Sequence, residues 1–205
     1  MTKKIFITGG TGFVGSYIIK YLLKNHQVQI RALKRKNSPM DLIQGIEHQV
    51  EWIEGDILDT VALEDAMQDI DEVYHCAALV TFDPKLFHKM HRINQEGTEN
   101  MVNIALDKGI KKFIHISSIA ALGRFPHIKH YDENTKWDRS PLNSEYAVSK
   151  YMAEQEVWRG IAEGLNAVIV NPSVILGSGI WGIGTSTFFD QVWKGLRFYP
   201  SGTTG

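Results

Sequence analysis

Short apolar runs alternate along this chain with longer stretches whose apolar positions recur three and four residues apart. Ile5-Phe6-Ile7, within residues 4–8, predicts a buried first strand. Residues 13–24 predict a helix with Val14, Ile18, Tyr21 and Leu22 on one face. Further strands are predicted at 28–34, 50–54, 71–76, 112–117 and 166–171. Between them, Asp59 is placed to cap a helix running to about Gln68, and a long helix covers 91–108 and ends at Gly109. A polar loop holding Pro126, Asp132, Asn134 and Pro141 leads to a helix over 144–163, capped by Asn143 or Ser144, and a last short helix covers 186–194. Strands interleaved this regularly with helices predict an α/β chain with a doubly wound parallel sheet, covered on both faces by right-handed crossovers. Ligands then belong at the carboxyl ends of the strands, where the strand order reverses.

The 205 residues suffice for one sizeable core and not for two. Hydrophobic residues make up 43% and charged ones 22%, the balance of an ordinary soluble globular protein. A formal net charge of −1 supplies no drive toward nucleic acid or an anionic membrane. No apolar run reaches membrane-spanning length, and the start does not fit a signal peptide. The single cysteine, Cys76, has no internal partner for a disulfide, which suits a reducing cytoplasm. Residues 198–205 have the composition of a loop, so the chain is expected to be a piece of a longer one. Residues 1–176 read as the nucleotide-binding unit and 177–205 as the start of a substrate lobe.

Two motifs carry the chemistry. Thr8-Gly9-Gly10-Thr11-Gly12-Phe13-Val14-Gly15 lies where the first strand turns into the first helix. There Gly9 allows a tight turn, Gly12 lets backbone approach a pyrophosphate, and Gly15 lets helix and strand pack closely. Free amides at the helix start, aided by the helix dipole, favour a phosphate. Far downstream stands Tyr146-Ala147-Val148-Ser149-Lys150, with Tyr146 and Lys150 four apart on one helical face. A phenol has a pKa of about 10, and a neighbouring ammonium is expected to lower it. Tyr146 is therefore the expected general acid/base.

These residues, in this order, resemble the extended short-chain dehydrogenase/reductase family, and the likeness runs along nearly the whole chain. Thr8-Gly9-x-x-Gly12-x-x-Gly15 is similar to its cofactor loop, with Thr11, Phe13 and Val14 inside it. Gly55-Asp56-Ile57-Leu58-Asp59 is similar to the segment whose first Asp contacts adenine. His75-Cys76-Ala77-Ala78 resembles the strand end lining the cofactor, and Asn94-Gln95-Glu96-Gly97-Thr98 the family's N-x-x-GT helix. Ser117-Ser118 resembles its Ser-Ser strand end, and Asn171-Pro172-Ser173 the turn that holds the nicotinamide. The resemblance implies a Rossmann fold, and within the family the dihydroflavonol-4-reductase-like and hydroxysteroid-dehydrogenase-like branches look most similar. It also implies that Ser118 orients a substrate oxygen toward Tyr146, and that Lys150 tunes Tyr146 and binds the nicotinamide ribose. Dimerisation through the helices at 91–108 and 144–163 follows from the same resemblance, and the longer family members complete the substrate lobe.

Lys34, Arg35 and Lys36 end the second strand where an NAD-binding domain usually has an acid, and no acid follows until Asp41. Positive charge there suits the 2′-phosphate of NADP, which Arg grips bidentately, so NADP is expected, with NAD as the alternative. The expected activity is NADP-dependent reduction of a carbonyl, or oxidation of a secondary alcohol, on a small organic molecule. The alternatives are an NAD-dependent nucleotide-sugar epimerase or dehydratase and a non-catalytic dinucleotide sensor, for which Ser118, Tyr146 and Lys150 together serve no purpose. No metal is expected: His88-x-x-His91 and His127-x-x-His130 each lack a third ligand. His75 and His115 read as hydrogen-bonded packing residues, and Asn94 as a bridge between neighbouring backbone segments.

Overall fold

The computed structural model describes residues 2–126, 130–138, 140–182, 184 and 186–196. Six parallel strands, β1 (Lys3–Thr8), β2 (Val28–Lys34), β3 (Val50–Glu54), β4 (Glu72–His75), β5 (Lys112–Ile116) and β6 (Ala167–Val170), form one sheet in the order β3-β2-β1-β4-β5-β6. The order reverses between β1 and β4, which places the crevice at their carboxyl ends. The helices are α1 (Phe13–Asn25), α2 (Thr60–Ala66), α3 (Phe87–His91), α4 (Gly97–Asp107), α5 (Glu145–Ala162) and α6 (Ser186–Trp193). Asp59 caps α2 and Ser144 caps α5, each accepting a hydrogen bond from an amide three residues on.

Alternation along the strands divides the core in two. Ile5, Ile7, Ile30 and Ala32 face α1, where Ile19 and Leu22 lie buried. Phe6, Leu33, Val73 and Phe113 face the opposite way, onto α2, α4 and α5. Burying each of the larger side chains stabilises the fold by about 1.5–3 kcal/mol.

Three expectations need correction. The buried face of α1 is Gly15, Ser16, Ile19 and Leu22, and Tyr21 is 62% exposed. A Cβ at Gly15 would collide with the Gly9 carbonyl, so that glycine sets the helix rotation and turns Tyr21 outward. The helix expected at 91–108 begins earlier, at Phe87, and passes through a π-helical turn at Arg92–Glu96 before α4. Asn94 sits buried in that wider turn, where its side chain reaches neighbouring segments instead of lying along the helix. The sheet is not covered on both faces throughout: Val168 and Val170 of β6 are 44% and 42% exposed. Residues 198–205 and His127 lie outside the described residues.

Candidate functional site

At the end of β1 the chain turns sharply at Gly9, whose φ of +68° is costly for any residue with a Cβ. A side chain there would also strike the backbone of Cys76 and Ala77 at the end of β4. These two strand ends therefore touch, and α1 starts beside them at Gly12. Gly12 is the N-cap of α1 and makes no side-chain capping bond, so the first-turn amides of Phe13, Val14 and Gly15 have no side-chain cap.

A cavity of about 240 Å³ opens at this point. Its lining includes Gly9, Thr11, Gly12, Lys34, Arg35, Asp56, Ile57, Ala77 and Ala78. Phe13, Val14 and Gly15 lie behind the lining, in the first turn of α1. Ser38 and Lys89 also line the cavity without having been singled out from the sequence. Ser38 had a local signal: its hydroxyl accepts from the Arg35 amide in a tight turn. Lys89 had none, because only the tertiary fold brings α3 there.

Ser118, Tyr146 and Lys150 gather next door, at the ends of β5 and α5, and are not part of the cavity wall. The Ser118 hydroxyl lies near enough to the Tyr146 phenol to favour its ionised form, and it accepts from the Ala120 amide at 3.2 Å. Ser117, its neighbour on the extended chain, turns the other way into the interior. Lys150 is buried, and its ammonium donates to the Ile116 carbonyl at 2.9 Å. Burial lowers the Lys150 pKa to about 8, against the opposing pull of the Glu154 carboxylate and the Cys76 sulfur.

The expectation that the ammonium would lower the Tyr146 pKa fails in this arrangement. Burial raises the phenol above its usual value, and the opposing effect comes from Ser118. Lys150 spends a hydrogen bond on the strand carbonyl instead. Asn171 donates to the Ser118 carbonyl at 3.1 Å, and the Pro172 carbonyl accepts from the Ile119 amide, so the Asn171-Pro172-Ser173 turn is tied to the serine end. Phe82, 72% exposed, packs edge-on against the Tyr146 ring with centroids 6.5 Å apart.

A buried polar chain joins the two parts. Thr98 donates to the Asn94 carbonyl, so its bond with His75 Nε2 has the histidine as donor. His75 Nδ1 then accepts from Thr8, and the neutral Nε2–H tautomer is fixed. Asn94 spans the Leu79 amide and carbonyl and donates to Ser149 beside Tyr146, which makes it the expected bridge. His115 departs from expectation: it is buried against His75 with ring centroids 5.3 Å apart, and neither of its nitrogens has a partner. Among the described residues no group of three or more His, Cys, Asp or Glu is arranged to hold a metal, and no helix is long and apolar enough to cross a membrane.

Comparison with known proteins gives the same picture from outside the molecule. The family described as NAD dependent epimerase/dehydratase matches residues 5–192. A provisionally named dihydroflavonol 4-reductase of Synechocystis sp. is 36% identical over 177 residues, covering 86% of this chain and 50% of that protein. The 3 beta-hydroxysteroid dehydrogenase/Delta 5-->4-isomerase of vaccinia virus (strain Copenhagen) is 33% identical over 199 residues, covering 90% of this chain and 55% of its own. Among solved structures, the UDP-glucuronic acid 4-epimerase of Bacillus cereus in complex with NAD is 26% identical with a TM-score of 0.79, covering 93% of this chain and 63% of that one. The chain thus spans about half the length of the curated relatives it matches.

Proposed function

From the premise that the chain belongs to the NAD dependent epimerase/dehydratase family, within the extended short-chain dehydrogenases/reductases, we propose that it is the cofactor-binding and proton-handling part of an NADP-dependent oxidoreductase. Its substrate is a small organic carbonyl compound or the matching secondary alcohol. The observation that carries this reading is the pairing of Ser118 with Tyr146 near buried Lys150, next to a cavity lined by Gly9, Gly12, Lys34 and Arg35. Residues 1–176 form the dinucleotide-binding domain, and residues from 177 onward begin the substrate lobe.

The residues fit a dinucleotide. The first turn of α1 has no side-chain cap and lies at the cavity edge, where a pyrophosphate would satisfy it. Asp56 and Ile57 would flank adenine, while Lys34 and Arg35 would hold a 2′-phosphate, with Ser38 beside them. Ala77 and Ala78 floor the path toward Tyr146, and Pro172 and Ser173 lie past Ser118 to receive the nicotinamide. Bound there, the cofactor supplies or accepts the hydride.

This chain's own residues do the rest. Ser118 holds the substrate oxygen and turns it toward Tyr146. The raised pKa keeps the Tyr146 phenol protonated at neutral pH, ready to donate to a developing alkoxide. Lys150 stands protonated below its pKa of about 8 and supplies a positive charge one helical turn from Tyr146. Exposed Phe82 makes the surface beside that phenol apolar, which favours an organic carbonyl compound over a nucleotide sugar.

The test joins calorimetric titration with NADPH and NADH to carbonyl reduction by the longer protein that contains this chain. Tyr146→Phe is expected to bind NADPH like the wild type and to lose turnover by at least a thousandfold, on the order expected for an acid–base group. Comparable turnover in the variant would sink the assigned mechanism, and a preference for NADH would move the reading to the epimerase branch.

A further inference from the structure

On the face of α5 that carries Tyr146 and Lys150, a third side chain follows at the same spacing. Glu154 lies four residues beyond Lys150 and eight beyond Tyr146, and is only 6% exposed. A carboxylate at such a depth is costly unless partners compensate it. Its partners are specific: Asn171 Nδ2 donates to Oε1 at 2.5 Å, and the Lys150 ammonium lies close enough to attract it. The Asn171 amide that holds Glu154 also donates to the Ser118 carbonyl. One buried carboxylate thereby lies within reach of the lysine charge and is linked to the serine backbone through Asn171.

We propose that Glu154 is a positioning residue of the site, keeping Lys150 charged through its own negative charge and holding Ser118 in register through Asn171. This rests on the reading of Tyr146 and Lys150 as the proton-handling pair. Around the lysine, β4 contributes His75 and the Cys76 thiol, β5 contributes His115 and the Ile116 carbonyl, and α5 contributes Glu154. Burial keeps both histidines neutral at ordinary pH and pushes the thiol up to about 12, so it stays protonated. Burial raises the Glu154 carboxyl's own pKa, while the Asn171 bond and the Lys150 charge oppose that rise. Glu154 is the acid among these groups whose charge offsets the burial of Lys150. Without its charge, the ammonium is left with a neutral carbonyl as its partner and gives up its proton sooner. The site then loses its buried positive charge sooner as pH rises.

The two arms separate by mutation. E154Q keeps an oxygen to accept from Asn171 and removes the charge, whereas E154A removes both. The deciding experiment is an NMR pH titration of the Lys150 side chain in lysine-¹³C-labelled protein, with the signal assigned by its loss in Lys150→Met. In E154Q the midpoint is expected about one pH unit below the wild type, a roughly tenfold easier proton loss. E154D, which restores the charge on a shorter arm, is expected in between. An E154Q midpoint equal to the wild type overturns the inference. Should E154Q fail to fold, E154A carries the test, and an unshifted midpoint there overturns it equally. The titration needs neither cofactor nor substrate, so failure of the wild type to bind NADPH sinks the functional reading and leaves this one standing. Where the wild type does turn over, the alkaline fall in kcat moves with the Lys150 midpoint.

Discussion

Around the β1–α1 turn the site is made of backbone: Gly9 and Gly15 carry no side chain, Gly12 makes no capping bond, and what they offer is space and amide groups. Around the β5 and β6 ends it is made of buried side chains, with Lys150 and Glu154 in the interior and His75 and His115 beneath them. Steric fit decides the first region and hardly depends on pH. Desolvation decides the second, where every titratable group sits away from its ordinary value. Two adjoining regions are thus held differently, one by shape and the other by protonation state.

Acid breaks the second region and spares the first. Burial depresses the pKa of His75 to about 3 and that of His115 well below its usual value, whereas both titrate near 6.5 when unfolded. Between those limits the unfolded chain binds more protons. Stability is therefore complete above about pH 6.5 and falls as pH drops below it, by roughly 2 kcal/mol at pH 5 for His75, with His115 adding to the loss. Urea melts at pH 7 and pH 5 measure this, and equal stability at both would refute it. His115→Leu should remove its share of the acid loss and cost nothing at pH 7, because no hydrogen bond is lost with the imidazole.

Gly15→Val attacks the region held by shape. The new Cβ meets the Gly9 carbonyl and Gly10 Cα, and both are backbone that has to move. A loss of about 3 kcal/mol is expected, equal at pH 7 and pH 5, since no titratable group is involved. A loss that grew in acid would join the two regions into one unit. Arg35→Ala is milder: NADPH affinity should fall roughly thirtyfold, about 2 kcal/mol for a charge-assisted contact, with NADH hardly affected. Equal effects on the two cofactors would remove Arg35 from the 2′-phosphate site. The smallest change is expected of Phe82→Ala, where loss of the ring beside Tyr146 should raise the KM of an apolar ketone about fivefold, near 1 kcal/mol, at unchanged NADPH affinity. An unchanged KM would take Phe82 out of the substrate surface.

Local physics made much of this legible in the sequence. The apolar runs at 4–8, 28–34 and 50–54 lie in parallel strands, and Asp59 and Ser144 cap the helices their spacing indicates. The spacing of Gly9, Gly12 and Gly15 marked the strand-to-helix turn, and the interval between Tyr146 and Lys150 put them on one helical face. Such features depend on neighbours within a few residues, which the chain itself supplies. The rotation of α1 did not follow, because it depends on the Gly9 carbonyl pressing on Gly15. Nor did the π turn at Asn94, which answers to Leu79 and Ser149 from two other segments.

Charge states were the least legible. From the sequence, an ammonium four residues from a phenol should lower its pKa. In the fold the ammonium is buried and the phenol half-buried, the ammonium donates to the Ile116 carbonyl, and desolvation raises the phenol instead. His75 and His115 look alike on paper, yet one has partners on both ring nitrogens and the other on neither. The sequence by itself determined the order of elements, the glycine turn and the spacing of the reactive pair, because those rest on local sterics and helical geometry. Only the tertiary structure decided which of those groups are charged, since desolvation is set by everything packed around a residue and not by its neighbours in the chain.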